Sequence, residues 1–150
     1  MKPPVEVKLD DLYQEVILDH NKRPRNFGKL EDANAYSHGY NPLCGDDYHI
    51  YLKLGSGGVI EAVRFEGQGC AISKSSASIM TETIMGKRAS EIEVVRSGFV
   101  NMLTQDGGAT GLPSKLKIFE GVKQFPVRVK CATLAWHALG DALKDYNSAH

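Results

Sequence analysis

The sequence predicts an α+β fold in which several helices cover a small antiparallel sheet. Three observations carry this. Apolar residues recur at helical spacing over 9–20, 88–104 and beyond Pro126. From Asp47 to Leu54 the period switches to two. Gly55-Ser56-Gly57-Gly58 then separates that stretch from another strand-like run at 59–65, as in an antiparallel hairpin. The 150 residues suffice for one core, so 1–150 reads as a single domain, with 1–8 outside its packed part.

In the first helix Leu9, Leu12, Tyr13, Val16 and Ile17 form one stripe, and Asp10 and Asp11 suit the positive end of the dipole. His20 closes this helix, where a positive charge is favourable. Residues 29–45 are rich in Asn, Gly and Pro and read as a long exposed connection ending in Asn41-Pro42-Leu43-Cys44-Gly45-Asp46. In the strand that follows, Tyr48, Ile50, Leu52 and Leu54 alternate with His49, Tyr51 and Lys53. Residues 66–72 suggest a third, short strand thinned by Gly67 and Gly69. Ser73 is placed to cap a helix that runs to Met85 and stops at Gly86. The 88–104 helix would bury Ile92, Val95, Phe99, Met102 and Leu103, and 106–111 reads as a loop. The last helix carries Cys131, Leu134, Ala138, Ala142 and Tyr146 on one face.

Lys plus Arg and Asp plus Glu both number 18. A neutral chain has no electrostatic reason to hold nucleic acid or an anionic membrane. Mean hydropathy is −0.28, and no apolar run approaches the roughly 20 residues of a membrane helix. The first residues lack the apolar stretch of a secretory signal, and three cysteines are an odd set for a secreted scaffold. A reducing cytoplasm is expected.

Chemistry rests on Cys44, Cys70 and Cys131. Cys44 precedes a strand, with Asp46 two residues later; Cys70 and Cys131 lie near expected helix starts, where backbone N–H groups favour thiolate. Three thiolates and one carboxylate would complete a tetrahedral zinc shell, and soft sulfur equally suits iron–sulfur chemistry. A lone cysteine, however, is most often a small buried hydrophobe, and no C-x-x-C is present. His49 is the reserve ligand. Cys70 with His49 or His137 as base would make a cysteine hydrolase, although no nucleophile motif accompanies it. Arg128 and Lys130 could lower the pKa of Cys131 or simply be solvated surface.

Taken in order, several segments resemble a known family. They are Leu12-Tyr13-Gln14-Glu15-Val16-Ile17-Leu18-Asp19-His20, Arg23-Pro24-Arg25-Asn26-Phe27-Gly28, Asn41 to Asp46, Phe65 to Ser73 and Phe125 to Ala132. These resemble the U-type (IscU/NifU-like) iron–sulfur cluster assembly proteins, in particular the SufU branch. The resemblance implies a SufE/NifU-like fold with a three-stranded antiparallel sheet. It also implies zinc held by Cys44, Asp46, Cys70 and Cys131. Two departures from the cluster-scaffold branch stand out. Lys130 occupies the place of that branch's histidine, and Gln124-Phe125-Pro126-Val127-Arg128 matches its chaperone-read Leu-Pro-Pro-Val-Lys motif poorly. Residues around 88–112 look like the insertion that marks the SufU branch. The implied function is a zinc-dependent sulfur acceptor for a SufS-like cysteine desulfurase, working with other Suf assembly proteins. Cys44 would be the acceptor on a mobile loop, a partner histidine would replace it on zinc, and Arg128 would stabilise the moving charge. The alternative is a scaffold that carries an iron–sulfur cluster.

Overall fold

The computed structural model describes residues 14–105 and 111–149. Helix α1 occupies 14–22 of these, so Leu9 to Tyr13 lie outside the described residues, while Val16 and Ile17 pack on the core as their spacing requires. Strands β1 (Ala35–Asn41), β2 (Asp46–Leu54) and β3 (Ile60–Gln68) form one antiparallel sheet in the order β1-β2-β3. Tyr48, Ile50, Leu52 and Leu54 of β2 all face the core, as their alternation dictates.

Two expectations about the sheet fail. Residues 29–45 are not one exposed connection, because 35–41 form an edge strand. The third strand is therefore β1; residues 66–68 simply complete β3. The reason is that β1 alternates with its large residues outward. Tyr36, His38 and Tyr40 are exposed, while small or polar Ala35, Ser37, Gly39 and Asn41 face inward. Gly39 is needed there, since a Cβ would lie 3.2 Å from Ala138 Cβ and 3.3 Å from Leu134 Cδ1.

Helix α2 (Ala71–Ile84) begins before Ser73, with Cys70 as its N-cap residue. Its serines are buried, not surface. Ser76 Oγ donates to Ala132 O (2.6 Å) and accepts from Trp136 Nε1 (3.1 Å), so small hydroxyls let two helices approach closely with every polar group paired. Ser78 Oγ accepts from Arg25 N (2.9 Å) and meets His20 Nδ1 at 2.7 Å. His20 is thus 2% exposed and buried inside the fold instead of closing a helix as a solvated cation; α1 runs two residues past it.

Helix α3 (Ala89–Thr104) buries Ile92, Phe99, Met102 and Leu103. Short α4 (Ser114–Lys117) and a 3-10 turn (Glu120–Gln124) lead to the long α5 (Pro126–Ala149). Phe99 stacks on Trp136 (centroids 4.9 Å apart), and Phe119 meets Phe99 edge-on at 5.9 Å. The α3 segment is therefore built into the core, and α5 lies between it and the inner face of the sheet.

Candidate metal centre

Cys44 sits at the tip of the tight β1–β2 turn, not on a long loop. Asn41 builds that turn: its carbonyl accepts from Gly45 N (2.8 Å) and Cys44 N (3.3 Å), and its Oδ1 accepts from Leu43 N (3.1 Å). Gly45, at φ 71°, supplies the left-handed residue that returns the chain to β2. Asp46, the first residue of β2, is fully buried. Cys70 caps α2 and is half-buried; Cys131 is buried within α5. Cys131 lies beyond that helix's first turn, so the dipole effect expected for it does not apply.

These segments converge. Cys44 Sγ and Cys131 Sγ are 3.2 Å apart, with all three cysteines free. One ligand atom from each of Cys44, Asp46 and Cys131 lies within 4.8 Å of the other two. Cys70 Sγ is not among these close ligand atoms; it lies beside them, 3.7 Å from Ser73 Oγ and lining the same cleft as Cys44. Asp46 Oδ1 is oriented by Cys70 N and by Ser73 Oγ, each at 3.1 Å, and Tyr48 Oη lies 3.0 Å from Ser73 Oγ behind it. Gly69 makes room for this network, because a Cβ there would come within 2.6 Å of Tyr48 Oη and 2.5 Å of Asp46 Oδ1.

Asp46 Oδ2, by contrast, is buried and has no hydrogen-bond partner. A desolvated carboxylate oxygen left without a donor is costly. Here it lies in the cysteine cluster, where a cation would satisfy it. The Cys131 thiol shows a related deficit. Burial first, then the hydrogen bond that its thiol donates to Cys44, push the Cys131 thiol far above its usual range. A divalent cation among these side chains would favour their ionised forms. The donor set of soft sulfur plus one carboxylate fits zinc.

Above the sulfurs lies an open cleft of about 540 Å³, lined by Cys44, Cys70, Phe125, Val127 and Arg128. Arg128, in the first turn of α5, is exposed and lines this cleft with Cys44 and Cys70, and the nearby sulfurs, Cys70 first, raise its pKa. Leu43 (71% exposed), Phe125 (58%) and Val127 (55%) form an apolar rim. Lys130 is exposed and adds no ligand. His49 lies on the outer face of the sheet with Tyr36 and Asp47, and His137 on the exposed side of α5. The reserve ligand and the hydrolase reading therefore both lose their histidine. Residue patterning missed Ser73 and Tyr48 as the supports of Asp46. Their periodicity marks them only as cap and core.

Comparison with known proteins decides the family. The family model described as NifU-like N terminal domain matches residues 12–150. The chain belongs to that family. Zinc-dependent sulfurtransferase SufU of Bacillus subtilis is 41% identical over 132 residues, covering 87% of this chain and 88% of the relative. Iron-sulfur cluster assembly scaffold protein IscU of Thermotoga maritima is 39% identical over 133 residues, covering 89% and 93%. Among solved structures, a putative SUF-system scaffold protein from Fervidobacterium islandicum matches with TM-score 0.77 and 37% identity, over 86% of this chain and 94% of that one. A nitrogen-fixing NifU-like protein (N-terminal) from Brucella abortus matches with TM-score 0.84 and 26% identity, over 95% and 99%. These matches place this NifU-like chain among the iron–sulfur cluster assembly proteins, and its α+β fold is theirs. Among the described residues no helix is long and apolar enough to cross a membrane.

Proposed function

We propose that this NifU-like protein is a zinc-dependent sulfur acceptor that takes persulfide sulfur from a cysteine desulfurase for iron–sulfur cluster assembly in the cytoplasm. The observation that carries the reading is the buried, unpaired Asp46 Oδ2 among cysteines whose outer members open to a cleft. The Bacillus subtilis relative named a zinc-dependent sulfurtransferase supports it. The apolar rim of Leu43, Phe125 and Val127 suits docking by a protein that must deliver sulfur to the cleft.

Zinc held by Cys44, Asp46, Cys70 and Cys131 would keep their sulfurs ionised at neutral pH. Cys44 is the acceptor, because it lines the cleft at a turn tip, whereas Cys70 lines it with its backbone N–H tied to Asp46 at the start of α2, and Cys131 is buried in α5. Its thiolate attacks the outer sulfur of the donor persulfide. A bond forms between Cys44 Sγ and that sulfur, the donor's S–S bond breaks, and the donor cysteine leaves as thiolate. The proton stays with the transferred sulfur. Arg128 places positive charge beside the cleft, where anionic sulfur must pass. Asp46, fixed by Cys70 N and Ser73, does not move with Cys44.

The test is desulfurase turnover, read as alanine formed from cysteine. Added protein raises the rate, Cys44→Ala removes the stimulation, and Arg128→Ala lowers it while metal content is kept. The scaffold reading is supported by relatives such as the Thermotoga maritima protein. Anaerobic incubation with iron and sulfide separates the two: a stable coloured cluster on the zinc-loaded chain favours the scaffold, and its absence favours the acceptor.

A further inference from the structure

Consecutive residues of a strand point to opposite faces of a sheet. Asp46 therefore turns inward to the cysteines, and Asp47 turns outward. The register pairs His38 with His49 and Tyr40 with Asp47 across β1 and β2, which gathers two imidazoles and a carboxylate on the outer face. His38 Nε2 is 2.5 Å from Asp47 Oδ1, and His49 Nε2 is 3.9 Å from the same oxygen. One ligand atom from each of the three lies within 4.8 Å of the others. We propose that His38, Asp47 and His49 form a surface site for a divalent transition-metal ion, separate from the cysteine centre and on the opposite face of the sheet.

The arrangement is oriented before any ion arrives. The rings of His38 and His49 stack at 4.3 Å between centroids and 7° between planes, with an ε nitrogen of each turned to the one carboxylate. Tyr36 Oη lies 2.5 Å from His49 Nδ1. When Nδ1–H donates to that oxygen, Nε2 presents its lone pair toward Asp47. This is how a partner on one imidazole nitrogen readies the other as a ligand. Tyr36 also stacks on His49 at 5.8 Å and meets Tyr51 at 5.4 Å, which holds its ring.

Two imidazoles and a carboxylate suit zinc, nickel, copper or iron in the divalent state, with affinity rising toward copper. The absence of sulfur distinguishes the site chemically from the cysteine centre. Its side chains are 32–44% exposed, so an ion there exchanges readily with solvent and keeps open positions.

The experiment titrates the zinc-loaded protein with Ni2+ by calorimetry and, in parallel, with Co2+ by absorption spectroscopy. The site predicts one further equivalent of metal. It also predicts weak visible cobalt bands of nitrogen and oxygen ligands, without the near-ultraviolet thiolate band. His38→Gln and His49→Gln each abolish the extra equivalent, and Tyr36→Phe weakens it about tenfold. Zinc at the cysteines stays unchanged in all three. The substitutions are on an exposed face, and circular dichroism verifies the fold. Should the cysteine centre carry no zinc, the titration is repeated on protein with alkylated thiols, so the result stands apart from the proposed function. No additional equivalent in the wild type, or one that persists in both histidine variants, overturns the site.

Discussion

Asp46 is the residue on which the cysteine centre depends, because its two oxygens have different duties. Oδ1 holds the start of α2 through Cys70 N and Ser73, and Oδ2 is buried without a hydrogen-bond partner, free for the cation of the proposed function. Asp46→Asn retains an oxygen for the first duty and loses the charge needed for the second. Its melting temperature should stay within a few degrees of wild type under metal-free conditions, while zinc passes faster to a competing chelator. Ser73→Ala, which removes only the support, should weaken zinc about tenfold. Full zinc retention in Asp46→Asn under the same challenge would remove Asp46 from the ligand set. His20 gives a second prediction at this scale. Burial first, then the charge of Arg25, lowers its pKa below the ordinary 6.5, with Glu82 pulling the other way. Below that value the unfolded chain takes up a proton that the fold resists. The contribution of His20 is therefore complete above pH 6.5 and is lost as pH falls through its folded pKa. Urea unfolding from pH 8 to 5 should show stability falling on acidification, and His20→Gln should flatten that slope. An unchanged slope would trace the loss to other groups.

At the scale of elements, the close approach of β3's end to α2 is the sensitive point. Gly69→Ala would drive a methyl into Tyr48 Oη and Asp46 Oδ1, costing about 1–3 kcal/mol and displacing the carboxylate. Denaturant melts and zinc content should both fall; a variant with normal zinc would show that the network can relax without moving Asp46. The elements also show what could be read from residues alone. β2 was legible because its large apolar side chains face inward. β1 was not, because its inward positions face α5 and hold Ser37 and Gly39, leaving the aromatics in water. Its alternation is present but inverted, and turn-forming residue types mask it. The start of α2 was misplaced for a related reason. Ser73 looks like a cap, yet its hydroxyl serves Asp46 from inside the helix. The three cysteines and Asp46 were legible as ligand types by chemistry. Their meeting was implied by the family resemblance and not by spacing, because it depends on the fold joining residues as distant as Cys44 and Cys131.

Across the whole molecule, stability and chemistry are divided between two regions. Phe99, Phe119 and Trp136 join α3 to α5 beneath the surface, while the cysteines meet at the other side of α5 near its start. Phe99→Ala should cost about 3–5 kcal/mol in chemical denaturation, yet bind zinc normally while folded. Zinc loss at native temperature would instead mean that the two regions are coupled. The central claim is that Cys44 receives sulfur at a metal-held centre. Mass spectrometry after incubation with a cysteine desulfurase and cysteine, with thiols trapped and the cysteine peptides separated, tests it most directly. The account predicts 32 Da of added sulfur on the peptide of Cys44 and its loss in Cys44→Ala, about the mass of one sulfur atom in the exchange described. Sulfur on Cys70 or Cys131 with Cys44→Ala still active, or a stimulated desulfurase with no sulfur on any cysteine, would contradict it.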